Sequence, residues 1–244
     1  MELKVIAHAR NGFTDKFGIP RQSRESSGIE TRIVFEPKYA VREALRGIED
    51  FSHLWLLWGF HKGERLQERG ERDEWSPTVR PPRLGGNKRV GVFATRSPYR
   101  PNPIGLTSVK LLRVEEKNGA LELVVSGADL LDGTPIYDVK PYLSYSDSHP
   151  DAKNGFADEV KEHRLEVNWG AFAEGQNIDR SRIGYGWPEN FVRDLTEILS
   201  QDPRPAYQDD PEREYKLDYG GYNVTFFVKK MTIFIKNITF SNKK

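Results

Sequence analysis

Seven short β-rich runs with a single helical segment among them fill the first two-thirds of this 244-residue chain. The runs are expected at 3–9, 31–35, 53–60, 90–94, 107–114, 121–128 and 134–142, and Gly, Pro or Asn-Gly punctuation separates most of them. Asn118-Gly119 stands between two runs as a hairpin turn should. The helical segment opens at Pro37, after which Val41, Ala44, Leu45 and Ile48 recur at helical spacing. One helix for so many strands favours an antiparallel or mixed barrel over a doubly wound sheet.

Past Asp147-Ser148-His149-Pro150-Asp151 the pattern changes. A strand is expected at 164–169 and an amphipathic helix at 190–201, with Phe191, Leu195, Ile198 and Leu199 on one side. A hairpin over 222–240 should turn near Lys229-Lys230. The fold class is therefore mainly β with α+β elements: an N-terminal β-barrel over residues 1–160 and a small α+β C-terminal domain over 161–244. With 30% charged and 37% hydrophobic residues the chain reads as soluble and globular. No apolar run approaches the roughly 18 to 20 residues of a spanning helix, so no membrane is expected. The N-terminus reads as a strand rather than a signal peptide, and the cytoplasm is the expected home. The absence of cysteine removes disulfides, thiolate metal sites and cysteine nucleophiles together. The five histidines never fall at metal-ligand spacing on one helix, and no metal is expected.

Charge is distributed unevenly. From Trp75 to Val114 the chain runs 40 residues without Asp or Glu, although 36 of its 244 residues are acidic. The same window carries eight cations, Arg80, Arg83, Lys88, Arg89, Arg96, Arg100, Lys110 and Arg113. Six prolines stiffen it, several in the run Arg96-Ser97-Pro98-Tyr99-Arg100-Pro101-Asn102-Pro103. A stiff loop bearing guanidinium forks suits phosphate or carboxylate, and equally describes a basic solvated loop at a strand end. The charged stretch 64–74 reads as a solvated loop or short helix without function.

Other polar loops divide in the same way. Pro20-Arg21-Gln22 presents an arginine and an amide, or is an ordinary exposed loop. An apolar strand ends on His61-Lys62, so two polar groups emerge at a sheet rim, while Trp55 and Phe60 read as core. The segment from Ser126 to Pro135 turns at Asp132-Gly133, where the aspartate either closes on its own backbone or meets a ribose hydroxyl or a cation. No Walker A loop, no G-x-G-x-x-G after a strand and no G-x-S-x-G elbow is present. Polar turns at strand ends are how small barrels assemble ligand sites, and the residues alone point to an anion or a nucleic acid.

The residues just quoted resemble the TsaA/TrmO family, tRNA methyltransferases that use S-adenosylmethionine without a Rossmann fold. The resemblance rests on Phe17-Gly18-Ile19-Pro20-Arg21-Gln22, Phe51-Ser52-His53-Leu54-Trp55, Arg80-Pro81-Pro82-Arg83-Leu84-Gly85-Gly86-Asn87, Val90-Gly91-Val92-Phe93-Ala94-Thr95-Arg96-Ser97 and Arg100-Pro101-Asn102-Pro103-Ile104-Gly105. It continues through Asp132-Gly133-Thr134-Pro135 and Lys140-Pro141-Tyr142, and Gln201-Asp202-Pro203-Arg204-Pro205-Ala206-Tyr207 resembles the family's C-terminal signature. The resemblance implies a barrel, a small C-terminal domain and a homodimer with the cofactor near the subunit interface. It implies methylation of N6 of threonylcarbamoyladenosine beside the anticodon of tRNA.

Carried over by motif, the implied cofactor-binding residues are Pro20, Arg21, Gln22, His61, Lys62, Arg96, Leu106, Asp129, Leu130, Leu131 and Asp132. Asn102 and Tyr142 are expected near the methyl-transfer centre, and Arg80, Arg83, Arg100, Arg204 and Tyr207 on the tRNA. The chemistry asks mainly for alignment of donor and acceptor and for neutralisation of shifting charge. Arginines on phosphates predict salt-sensitive binding to a single-stranded anticodon loop. Two rival readings stand beside this one: a non-catalytic RNA-binding barrel, and a regulatory protein that senses S-adenosylmethionine.

Overall fold

The computed structural model describes residues 2–19, 28–62, 75–81, 88–117, 119–159, 164–170, 190–204 and 210–241. In chain order the strands of the first part are β1 (Ala7–Arg10), β2 (Glu30–Phe35), β3 (His53–Gly59), β4 (Thr78–Val79), β5 (Val90–Gly91), β6 (Ile104–Lys117), β7 (Ala120–Ser126) and β8 (Pro135–Pro141). Six of them close into a barrel in the order β1-β2-β7-β6-β3-β8, with every pairing antiparallel. Closure rests on the short β1–β8 seam, where Ala7 faces Ile136 and the Ala9 amide donates to the Thr134 carbonyl at 2.9 Å. β4 and β5 form a separate two-stranded ladder.

The barrel interior follows the period of two that a pleated strand imposes. On β3, Leu54, Leu56 and Trp58 point inward, where they meet Ala7, Ala9, Ile33, Val109, Leu123, Val125 and Ile136. The Trp58 indole is a polar group in this core, and its N–H donates to Thr107 Oγ1 at 3.0 Å. The indole lies over Gly105 on β6, the residue paired with Trp58, and a methyl there would overlap the ring.

The C-terminal part is a four-stranded sheet ordered β10-β11-β12-β9, with β9 (Glu166–Asn168), β10 (Tyr215–Tyr219), β11 (Tyr222–Lys229) and β12 (Thr232–Phe240). The helix Phe191–Ser200 supplies Phe191, Leu195, Ile198 and Leu199 to its core, the side expected from spacing. Phe13 and Ile29, from the segment joining β1 to β2, are buried in this same cluster. Phe13 bridges to Tyr219 with ring centroids 5.2 Å apart, and the Gly220 amide donates to the Gly12 carbonyl at 2.9 Å. Among the described residues no helix is long and apolar enough to cross a membrane.

Several expectations change. The segment after Pro37 is two 3-10 turns, Arg42–Leu45 and Ile48–Asp50, separated by Gly47 at φ 81. Leu45 and Ile48 rest half-buried against the barrel core, but Gly47 in the left-handed region interrupts the run, so two short turns form in place of an α-helix. The run expected over 90–94 is a strand only to Gly91 and then a 3-10 turn, Val92–Ala94. β6 is far longer than expected, bent by an irregularity between Leu111 and Arg113 that turns Leu112 outward. β10 was not anticipated, although Tyr215, Leu217 and Tyr219 alternate along it. The stretch 64–74 lies outside the described residues.

Replacing Gly105 by Ala should destabilise the fold by about 1–3 kcal/mol, because an indole in a close-packed barrel has no room to withdraw. Urea denaturation measures it, and an unchanged midpoint would mean that the Trp58 ring moves freely.

Candidate functional site at one rim of the barrel

The antiparallel register gathers several chain segments at one end of the barrel. There β1 ends at Arg10, β3 at Gly59 and β7 at Ser126, while β6 begins at Ile104 and β8 at Pro135. His61, Lys62, Asn102 and the Asp129–Asp132 segment therefore converge from positions far apart in sequence.

Asn11, which the sequence reading passed over, holds this rim together. Its side-chain amide donates to the Leu130 carbonyl at 2.9 Å and to Thr31 Oγ1 at 3.2 Å. Its own backbone N–H donates to Asp132 Oδ1 at 3.1 Å, and its side-chain oxygen accepts from the Phe13 amide at 2.9 Å. Asp132 thus closes on the neighbouring loop rather than on its own turn. Its second oxygen stands 3.6 Å from Arg10 Nη1. Gly133 completes the turn at φ 79 and donates its amide to Ala9 O at 2.8 Å.

His61 sits against this turn. Its Nδ1 lies 3.4 Å from Thr134 Oγ1, and that hydroxyl donates to the Leu131 carbonyl at 2.8 Å. The imidazole also meets the Asp132 backbone, a contact that favours its protonated form, and its tautomer sets which nitrogen donates. Its Nε2 is buried and has no partner among the described residues. Burial, helped by the charge of Lys62, lowers the imidazole's pKa and keeps the ring neutral near pH 7. A buried ring nitrogen without a partner is costly, so a ligand that supplies a hydrogen-bonding group would be favoured there.

A second chain of polar contacts starts in the core. The Trp58 N–H donates to Thr107 Oγ1, and the Thr107 hydroxyl donates to Asp129 Oδ1 at 2.8 Å. Burial raises the Asp129 carboxyl above its ordinary pKa, against the Thr107 hydrogen bond and the charge of Arg96, which both favour the ionised form. Arg96 itself is exposed. Leu130 and Leu131 are buried, and their carbonyls are occupied by Asn11 and Thr134. Leu106 points outward from β6 and is 55% exposed, while Lys62 reaches the Thr14 carbonyl at 3.4 Å.

Other expected site residues fall elsewhere. Tyr142 is at the opposite end of the barrel: Leu54 pairs with Pro141, and the Tyr142 amide donates to His53 O. Along β3 that is about 20 Å from the rim that holds Asn102 and His61. One chain does not bring Asn102 and Tyr142 together. Arg100 turns inward, donating to Ser97 O at 2.9 Å and Val92 O at 3.4 Å, and also to Thr95 O. In a run where proline has removed amide donors, the guanidinium supplies them, so its role is to clamp the loop. Arg204 is buried and grips both oxygens of Asp202, at 2.8 and 2.9 Å, which keeps its fork away from any RNA surface. Arg80 is exposed beside β4. Pro20, Arg21, Gln22, Arg83 and Tyr207 lie outside the described residues.

Because folding raises the Asp129 pKa, the folded state holds its proton over a pH range where the unfolded chain has lost it. The carboxyl then costs stability as pH rises through that range, just above the ordinary aspartate value. Asp129→Asn should remove this cost, so the stability of the variant relative to the parent should increase from pH 4 to pH 7. Urea midpoints across that interval test it, and a constant difference would show that the carboxyl titrates normally.

Comparison with known proteins gives the family. The family model described as the tRNA-methyltransferase O N-terminal domain matches residues 8–148, and that of the TrmO C-terminal domain matches 162–241. The chain is 39% identical over 229 residues to a tRNA (adenine(37)-N6)-methyltransferase of Escherichia coli K12, covering 93% of each. It is 41% identical to a putative S-adenosylmethionine-dependent methyltransferase, RcsF, of Pseudomonas aeruginosa, covering 86% of this chain and 85% of that one. The crystal structure of TrmO from Pseudomonas aeruginosa superposes with a TM-score of 0.72 at 30% identity, covering 98% of both chains. With both domain models matched in order and the barrel shared, this chain belongs to the tRNA-methyltransferase O family.

Proposed function

We propose that this chain transfers a methyl group from S-adenosylmethionine to N6 of the adenine at position 37 of tRNA, with threonylcarbamoyladenosine as the acceptor. The observation that carries the reading is the rim where His61, Arg96 and Asp129 to Asp132 meet, in a chain whose relatives are named for this reaction. S-adenosylmethionine, when bound, supplies an electrophilic methyl on a sulfonium whose positive charge is lost on transfer. The cofactor also carries an ammonium, an exocyclic amine and ribose hydroxyls. These are hydrogen-bonding partners for the unpartnered Nε2 of His61 and for the carboxyl oxygens of Asp129 and Asp132. The residues present therefore fit the group.

In this reading Pro20, Arg21, Gln22 and Lys62 complete the cofactor site, Leu106 offers an apolar wall beside it, and Asn102 stands at the acceptor. Leu130 and Leu131 act from below, by fixing the loop that carries the two aspartates. The protein's part is alignment in a preorganised polar site, with Arg96 balancing the enclosed Asp129. Arg80 and Arg83 meet phosphates, whereas Arg100 and Arg204 build the protein. We assign residues 1–160 to the catalytic barrel and 161–244 to its C-terminal support. The working form is a cytoplasmic homodimer, from whose second copy Tyr142 would reach the methyl-transfer centre.

Incubation with methyl-labelled S-adenosylmethionine and tRNA, prepared with and without the threonylcarbamoyl group, tests this. A methylated threonylcarbamoyladenosine should appear by nucleoside mass spectrometry in the modified pool alone. Cofactor binding without transfer to either pool would favour a sensor, and RNA binding without cofactor binding a non-catalytic module.

A further inference from the structure

We propose that Trp75 and Phe93 form a stacking platform for an unpaired nucleobase of the tRNA, outside the cofactor rim; this rests on the tRNA reading above. The two rings are neighbours, with centroids 5.8 Å apart and planes inclined by 34°. Phe93 is 72% exposed and Trp75 47%, a large apolar pair left in water. Neither is loose. Phe93 occupies the 3-10 turn Val92–Ala94, whose first residue is buried, and burying Val92 leaves the next side chain facing out. The Val92 amide donates to Pro77 O at 2.9 Å, and Thr95 closes back on the Val92 carbonyl through its amide and its hydroxyl.

Charge selects the partner. The β4–β5 ladder is antiparallel, Thr78 facing Gly91 and Val79 facing Val90. The aromatic pair therefore lies at one end of the ladder, before β4 and after β5. Arg80, Lys88 and Arg89 lie at the other, after β4 and before β5. Arg80 and Lys88 are exposed, and Arg89 is held by Thr78 Oγ1 at 2.8 Å. The two ends are at most about 17 Å apart at 3.3 Å per residue. No carboxylate occurs anywhere from Trp75 to Val114 to repel a phosphate. Exposed rings on a stiff backbone beside a track of cations are what single-stranded RNA requires: π-faces for bases, and positive charge for the backbone between them.

Fluorescence anisotropy with a labelled anticodon stem-loop tests the platform in the full-length protein. Trp75→Ala and Phe93→Ala should each weaken RNA binding by about 5- to 150-fold, the range of one stacked base. Phe93→Tyr should retain most of the affinity. Calorimetric affinity for S-adenosylmethionine should be unchanged in all three, since neither ring belongs to the rim. Quenching of tryptophan fluorescence by the stem-loop should shrink in Trp75→Phe. RNA affinity within twofold of the parent in both alanine variants would overturn the proposal. So would a change of oligomeric state by sedimentation velocity with RNA affinity per particle intact, which would make the patch a contact between copies. Failure of the parent protein to bind the stem-loop would instead overturn the tRNA reading, and this platform with it.

Discussion

The hydrogen bonds between the Asn11 loop and the Asp132 turn are the constraint on which the rest of the molecule depends. They sit where the barrel closes, beside a β1–β8 seam that is only two register pairs long. The same loop passes Phe13 into the core of the C-terminal sheet, while the Asp132 amide donates to the Phe13 carbonyl at 2.8 Å. One polar cluster thus closes the barrel, shapes the candidate site and couples it to the second core. Each bond contributes modestly, but leaving any of these partly buried groups unmade costs more than the bond is worth, so the loops hold one arrangement.

The rim has two different electrostatic parts. Asp129 and His61 are enclosed, and their pKa values are moved by burial, the acid upward and the imidazole downward. Both shifts have one cause, the loss of water around a group that would otherwise carry charge. The β4–β5 ladder is the opposite case, with Arg80, Lys88 and Arg89 exposed to water in a segment that has no acid. Its charge acts over about a Debye length, and is suited to gathering a polyanion rather than to chemistry.

How much of this could be read from sequence differs between residues. β-rich runs set off by turn residues marked β2, β3, β7 and β8 within a residue or two, because strand propensity and turn chemistry are local. Asn11 was not readable, since its worth lies in partners 20 to 121 positions away. Arg100 and Arg204 looked like RNA ligands because sequence shows charge but not the carbonyls and carboxylate that absorb it. Tyr142 stands, within one chain, at the end of the barrel away from Asn102, a separation that only strand register reveals. The spacing after Pro37 had the period of a helix, and Leu45 and Ile48 do rest on the barrel, but the left-handed Gly47 divides the segment into two 3-10 turns.

The sequence by itself determined the fold class, the acid-free basic segment, the absence of cysteine chemistry and the family resemblance. These depend on composition, on period and on short rigid motifs, all of which are local. Only the tertiary structure decided which polar residues share a rim, which arginines bond to carbonyls and carboxylates of the protein itself and which histidine nitrogen is buried without a partner. Those are properties of barrel register and closure, and register couples residues across the whole chain.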